Sequence, residues 1–111
     1  MNHKLCQRGD IPPAGSNGFA FVDNTGALRN YMVIEKGGTL HIYENSCPHI
    51  GVPLDFNPGK FLDLSGEMII CSTHGALFQI DDGHCVSGPC VGKNLVPVSF
   101  EIRGEDVLIQ L

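Results

Sequence analysis

The chain has 111 residues and carries seven Lys and Arg against twelve Asp and Glu, a formal net charge of −5. Because phosphate binding needs a basic face, this balance argues against nucleic acid as a partner. The length predicts one domain, residues 1–111, too small to hold a complete catalytic domain beside a second one. Fourteen glycines and seven prolines are typical of a turn-rich chain with many short strands.

Ten stretches are predicted to be strands because apolar, aromatic or β-branched residues concentrate or alternate in them, with glycine or proline turns between. They span residues 4–7, 19–22, 29–35, 39–43, 61–64, 68–70, 77–80, 84–86, 95–102 and 107–111. Turns at 23–26 and 81–83 join neighbouring strands into hairpins. No stretch has the periodicity of an amphipathic helix. The predicted fold class is therefore all-β, with an antiparallel sandwich or barrel-like base.

The cellular location is predicted from what the sequence lacks. No apolar run reaches the eighteen or so residues that span a bilayer, and the first ten residues lack the apolar centre of a signal peptide. Five cysteines are an odd number and a poor disulfide set, which favours a reducing compartment. We therefore expect a soluble, cytoplasmic protein with no membrane contact.

Two short stretches share one pattern, Cys-Pro-His-Ile-Gly at residues 47–51 and Cys-Ser-Thr-His-Gly at residues 71–75. Each offers one thiolate and one imidazole, so the four side chains Cys47, His49, Cys71 and His74 imply a metal site. Ligand type alone leaves both zinc and an iron–sulfur cluster open. A zinc finger has its cysteine pair in one loop and its histidine pair along a helix, whereas here each loop mixes the two. A zinc-binding interaction module remains an alternative.

These motifs resemble those of the Rieske ferredoxin family, in which Cys-Pro-His-x-Gly is followed by Cys-x-x-His-Gly. The similarity continues through residues 76–78 and 82–85 to Ser87-Gly88-Pro89, which is similar to the family's proline loop over the cluster. The resemblance implies a Rieske-type fold with a small cluster-binding subdomain at about residues 45–80. It also implies one [2Fe–2S] cluster per chain, with these ligands: Cys47, His49, Cys71 and His74.

The function that the resemblance implies is that of a soluble one-electron carrier, not itself an enzyme. Such a ferredoxin passes electrons from a flavin-containing reductase to a terminal oxygenase. Both partners would dock near the edge formed by His49 and His74, with the neighbouring residues Ile50, Gly51, Gly75 and Pro89 as contact surface. A Rieske-type small subunit of a nitrite reductase-like enzyme and an orphan redox sensor are the alternatives.

Residues beside the ligands predict a low reduction potential. High-potential respiratory members of the family carry a disulfide between positions that here are Val52 and Thr73, so that bond cannot form. They also carry two hydroxyl donors to the cluster, at positions that here are Ala76 and Phe78. Because these donors stabilise the more negative reduced cluster, their absence predicts a potential near the lower end of the Rieske range, about −150 mV.

Four further side chains are of types that can bind metal, but we predict that they are strand or packing residues. Cys6 and His41 are expected to be strand residues, with His41 on the surface. Cys85 and Cys90 are expected to be small buried residues, since free cysteine often packs as a small hydrophobe. Spare ligands or a redox pair remain open for these two.

Overall fold

Nine strands form three antiparallel sheets in the computed structural model, which describes residues 2–48, 51–55, 57–73 and 75–110. The strands are β1 Asn2–Gln7, β2 Ser16–Val22, β3 Leu28–Lys36, β4 Thr39–Glu44, β5 Met68–Ile70, β6 Leu77–Gln79, β7 Cys85–Ser87, β8 Phe100–Arg103 and β9 Asp106–Gln110. One 3₁₀ turn at Arg8–Asp10 is the only helical element in the described ranges. The prediction of an all-β, antiparallel fold is confirmed.

Each sheet has three strands, in the orders β1-β9-β8, β2-β3-β4 and β5-β6-β7. The second sheet is a meander, in which β3 and β4 are joined by a tight turn with Lys36 paired to Thr39. The third sheet is the smallest. Its strand β5 lies between the two cysteine–histidine motifs, β6 follows the second motif, and β7 ends at Ser87 in the proline loop. The sheet places the end of β5 immediately before Cys71 and the start of β6 shortly after it.

Two predicted strands are wrong in part. The strand predicted over 95–102 begins only at Phe100, and Pro97 before it makes a single bridge with Tyr43. Proline has no N–H to donate to a ladder, so pairing cannot continue through it. The N–H of Leu95 instead donates to Gly83. The stretch predicted over 61–64 is reduced to one bridge, between Leu62 and Ile69.

Two buried clusters divide the interior, and β3 contributes to both. The cluster we call the base core contains Cys6, Ile11, Tyr31, Val33, Leu40, Ile42, Val107 and Ile109. The cluster we call the site core contains Met32, Ile34, Tyr43, Cys47, Leu54, Phe61, Ile69, Cys71, Ala76, Phe78, Ile80, Cys85, Cys90 and Leu95. Because side chains alternate along a strand, residues 31 and 33 face the base core while 32 and 34 face the site core. The site core packs both cysteines of the predicted metal site on the same apolar support.

Nothing helical in the described residues is long and apolar enough to cross a membrane.

Candidate metal centre

The first cysteine–histidine motif forms a loop that is closed by two backbone hydrogen bonds of its own cysteine. The N–H of Cys47 donates to the carbonyl of Val52 at 2.8 Å, and the Cys47 carbonyl accepts from the N–H of Gly51 at 2.7 Å. Gly51 has φ +74°, in the left-handed region that side-chain-bearing residues avoid. The glycine of the motif is therefore explained by the turn that brings the chain back to Cys47.

The second motif repeats this arrangement. The N–H of Cys71 donates to the carbonyl of Ala76 at 2.9 Å, and the Cys71 carbonyl accepts from the N–H of Gly75 at 2.8 Å. Gly75 has φ +72°, nearly the value found in the first loop. Two sequence stretches with one cysteine–histidine pattern thus fold into two loops with one hydrogen-bond pattern.

A hydrogen-bond relay joins the two loops. Asn45 is the one buried polar residue in the described ranges, and its side-chain oxygen accepts from the N–H of Leu54 at 2.8 Å. The carbonyl of Leu54 in turn accepts from the N–H of Ser72 at 3.0 Å, next to Cys71. The side-chain nitrogen of Asn45 donates to Asp55 at 2.9 Å, which fixes the orientation of the amide. The relay holds the start of the second loop against the end of the first.

The segment after β7 contacts both loops. A Cβ atom on Gly88 would lie 2.8 Å from the Cα of Ala76, so this segment packs backbone to backbone against the second loop. Two residues on, the sulfur of Cys90 lies 3.7 Å from the sulfur of Cys47 in the first loop. Pro89 lies between these contacts and is exposed.

The two sulfur donors of the predicted site are shielded from solvent, with Cys47 1% and Cys71 0% exposed. Buried cysteine sulfurs on two similar loops suit an iron–sulfur centre, because thiolate is the ligand that such clusters prefer. His49 and His74 lie outside the described residues, and all four ligands remain predictions. In the described ranges, no group of three or more His, Cys, Asp and Glu side chains is arranged to hold a metal ion. The buried sulfurs of Cys47 and Cys71, each at the start of a similar loop, nevertheless fit a cluster shared between the two loops.

The other histidines and cysteines lie where the sequence predicts in most respects. His41 is a half-buried residue of β4. Cys6 belongs to the base core, and burial, with a smaller effect from Asp10, raises the pKa of its thiol to about 11. Cys85 is buried and its thiol donates to the carbonyl of Ser87 at 3.2 Å.

Two residues of the centre have a role that no motif in the sequence indicates. Asn45 carried no motif signal, although a polar side chain two residues before a ligand loop is a reasonable place to look for a loop anchor. The sequence predicts that Cys90 is buried, but its contact with Cys47 joins residues 43 positions apart in the chain.

The surface predicted for docking is accessible in the part that the structure describes. Gly51, Gly75 and Pro89 are all exposed. Ile50 lies outside the described residues.

Two glycine-closed loops with buried cysteines on an antiparallel base define a small metal-binding β protein. The family model of the Rieske [2Fe-2S] domain matches residues 1–104, and the chain belongs to this family. Its cofactor is accordingly a [2Fe–2S] cluster, as predicted.

The chain is similar to one curated protein and to ferredoxins of known structure. It is 32% identical over 100 residues to cholesterol 7-desaturase of Caenorhabditis elegans, a match that covers 78% of this chain and 23% of the desaturase. The chain thus spans about a quarter of that relative's length.

Several solved structures share its fold. The ferredoxin of carbazole 1,9a-dioxygenase from Nocardioides aromaticivorans IC177 superposes with a TM-score of 0.73 at 21% identity, covering 98% of this chain and 96% of that one. A chain from the complex of reduced oxygenase and oxidized ferredoxin in carbazole 1,9a-dioxygenase gives a TM-score of 0.73 at 24% identity, covering 98% and 92%. The Rieske-type fold predicted from the sequence is confirmed.

Proposed function

We propose that the protein is a one-electron carrier that holds its [2Fe–2S] cluster with Cys47, His49, Cys71 and His74. It receives an electron from a flavin-containing reductase and passes it to a terminal oxygenase, without binding the final substrate itself. Residues 1–111 act as one domain, in which about residues 45–80 form the cluster-binding part.

The observation that carries this proposal is the matched pair of loops. Each begins at a buried cysteine, is closed by the same two hydrogen bonds and turns at a glycine. A zinc finger would bring its two cysteines together in one short loop, whereas here the cysteines start separate loops. One cysteine and one histidine from each loop match the ligand set of a Rieske centre, with two histidines replacing two cysteines on one iron.

When bound, such a cluster takes up and returns one electron at a potential well above that of an all-cysteine cluster. The chain's own residues set where in the Rieske range this potential falls. Ala76 and Phe78 are both 0% exposed and carry no hydroxyl that could donate to the centre. The absence of these donors supports a value near the lower end, about −150 mV.

Support for the oxygenase partner comes from the solved relatives, one of which is a ferredoxin captured with its oxygenase. The exposed glycines of both loops and Pro89 give a partner close access to the centre. An electron could therefore leave through this edge without crossing the apolar base.

A second candidate function is supported by the match to the desaturase, of which this chain covers only 23%. The same domain would then serve a catalytic unit with which it is permanently associated. The two candidates differ in one measurable property. A free carrier dissociates from its oxygenase after each transfer, whereas a domain of an enzyme remains bound through many turnovers.

The ligand assignment is tested with single variants of the four residues. Cys47→Ser and Cys71→Ser are each expected to lose most of the bound iron, as are His49→Ala and His74→Ala. His41→Ala is the matched control, since His41 is a residue of β4 and belongs to neither loop, and it is expected to keep its iron. Iron retained by any of the four ligand variants at the level of the control would contradict the assignment.

The carrier function is tested by mixing the reduced protein with an oxygenase in a stopped-flow instrument and following reoxidation of the cluster. In a steady-state assay, a rate of oxygenase turnover that rises with carrier concentration at fixed oxygenase concentration would support a free carrier. Co-purification in a fixed ratio with a catalytic subunit would favour the second candidate.

A further inference from the structure

We propose that the thiol of Cys90 donates a hydrogen bond to the sulfur of Cys47 and thereby raises the reduction potential of the cluster. This inference rests on the proposed function, in which Cys47 is an iron ligand. Cys90 acts through Cys47 as a tuning residue and does not bind iron itself.

The geometry supports a direct contact between the two side chains. Their sulfur atoms are 3.7 Å apart, within the range of a sulfur–sulfur hydrogen bond. Either sulfur could donate in a protein without metal. An iron ligand, however, is a thiolate without a proton, so once Cys47 binds iron only Cys90 can be the donor.

The segment that carries Cys90 is ordered by a turn hydrogen bond after Cys90 and by close packing before it. The N–H of Lys93 donates to the carbonyl of Cys90 at 2.8 Å, and Gly88 packs directly on the backbone of Ala76 in the second loop. Cys90 itself is 0% exposed within the site core. Because the thiol cannot turn out to solvent, the contact with Cys47 is maintained, and in this dry setting it has a larger electrostatic effect than in water.

The direction of the effect follows from charge. Reduction adds one electron, part of whose negative charge spreads onto the ligand sulfurs, so a donor to such a sulfur stabilises the reduced state more than the oxidised state. Hydrogen bonds to the sulfurs are a known means of setting iron–sulfur potentials. For a weak thiol donor we expect an effect of about threefold to tenfold on the reduction equilibrium, which is about 28 to 59 mV for one electron. Cys90 would thus partly offset the hydroxyl donors that Ala76 and Phe78 cannot provide.

The test compares three variants by protein-film voltammetry, with iron and sulfide counted on the same samples. Cys90→Ala removes the donor and is expected to lower the potential by about 28 to 59 mV with unchanged iron content. Cys90→Ser keeps a donor, and because a hydroxyl donates more strongly than a thiol, its potential is expected above the wild-type value. Cys85→Ala is the matched control, since it removes another fully buried thiol of the site core that donates to Ser87 instead.

If Cys90 only filled space in the site core, the reduction potentials of Cys90→Ala and Cys90→Ser would not shift in opposite directions. Equal potentials in Cys90→Ala and Cys85→Ala would overturn the inference, as would a Cys90→Ser potential at or below that of wild type. Loss of iron from Cys90→Ala and Cys90→Ser, but not from Cys85→Ala, would show instead that Cys90 is a ligand. If Cys90→Ala does not fold, the serine variant against the control still decides. A wild-type protein without an iron–sulfur cluster would refute the proposed function itself.

Discussion

Replacing Asn45 with alanine should weaken the connection between the two ligand loops. The substitution removes the acceptor for the N–H of Leu54, a residue that is 0% exposed. A buried donor left without a partner costs about 1–3 kcal/mol. The lost bond to Asp55, which is half-buried, adds about 1 kcal/mol. The expected total is a loss of about 2–4 kcal/mol in the free energy of unfolding.

The assay is a urea titration of the cluster-loaded protein, followed by the visible absorbance of the cluster and by far-ultraviolet circular dichroism. With a slope of about 1–3 kcal/mol per molar urea for a domain of this size, the midpoint should fall by about 0.7–4 M. The cluster absorbance should also bleach faster at a fixed urea concentration, since the second loop is held to the first through Leu54 and Ser72.

Asn30→Ala is the matched control, because it removes a neighbouring amide whose oxygen accepts from Asn45 at a long 3.4 Å. This variant should lower the free energy of unfolding by well under 1 kcal/mol, so its urea midpoint should stay close to that of the wild type. The reasoning would be refuted if Asn45→Ala moved the midpoint no further than Asn30→Ala, or if bleaching rates were the same in both variants.

Tyr43→Phe should destabilise the protein by about 1–3 kcal/mol at neutral pH, because the buried hydroxyl donates to the carbonyl of Ile80 at 2.6 Å. Burial, with smaller effects from two nearby aspartates, raises the pKa of Tyr43 to about 12, while an unfolded tyrosine titrates near pH 10. Between pH 10 and pH 12 the folded chain thus keeps the Tyr43 proton while the unfolded chain loses it. The difference in free energy of unfolding between wild type and variant should therefore be largest below pH 10 and decrease as the pH rises to 12. A constant gap in denaturation curves across this window would contradict the assignment. Gly88→Ala should lower the midpoint temperature of thermal unfolding several-fold more than Gly92→Ala. Both glycines have φ near +90°, but only at Gly88 would the new Cβ meet a backbone atom, the Cα of Ala76. Equal shifts in midpoint temperature would argue against close packing of the proline loop on the second ligand loop.

Much of the fold follows from local patterns in the sequence. The strand at Met68–Ile70 is found at its predicted bounds, and alternation in 39–43 places Leu40 and Ile42 in the base core. Such patterns are readable because side chains alternate strictly between the two faces of a strand. The prediction failed where pairing depends on distant partners, as at Pro97, which makes one bridge to β4.

The candidate site divides in the same way. The two motifs predict the sulfur donors directly, and the structure shows both cysteines buried in equivalent loops. The relay through Asn45 and the contact between Cys90 and Cys47 join residues far apart in the chain or depend on backbone atoms, which carry no sequence signal. Side chains that support a site are therefore harder to predict than the ligands themselves.

The most direct test of the central claim is electron paramagnetic resonance of the dithionite-reduced protein, prepared without air and labelled with ¹⁵N-histidine. Electron–nuclear double resonance on the same sample reads the ligand nitrogens. We predict iron and acid-labile sulfide at about two each per chain, with hyperfine coupling to two histidine nitrogens. A colourless protein that contains zinc, or a cluster with no histidine coupling, would contradict the account.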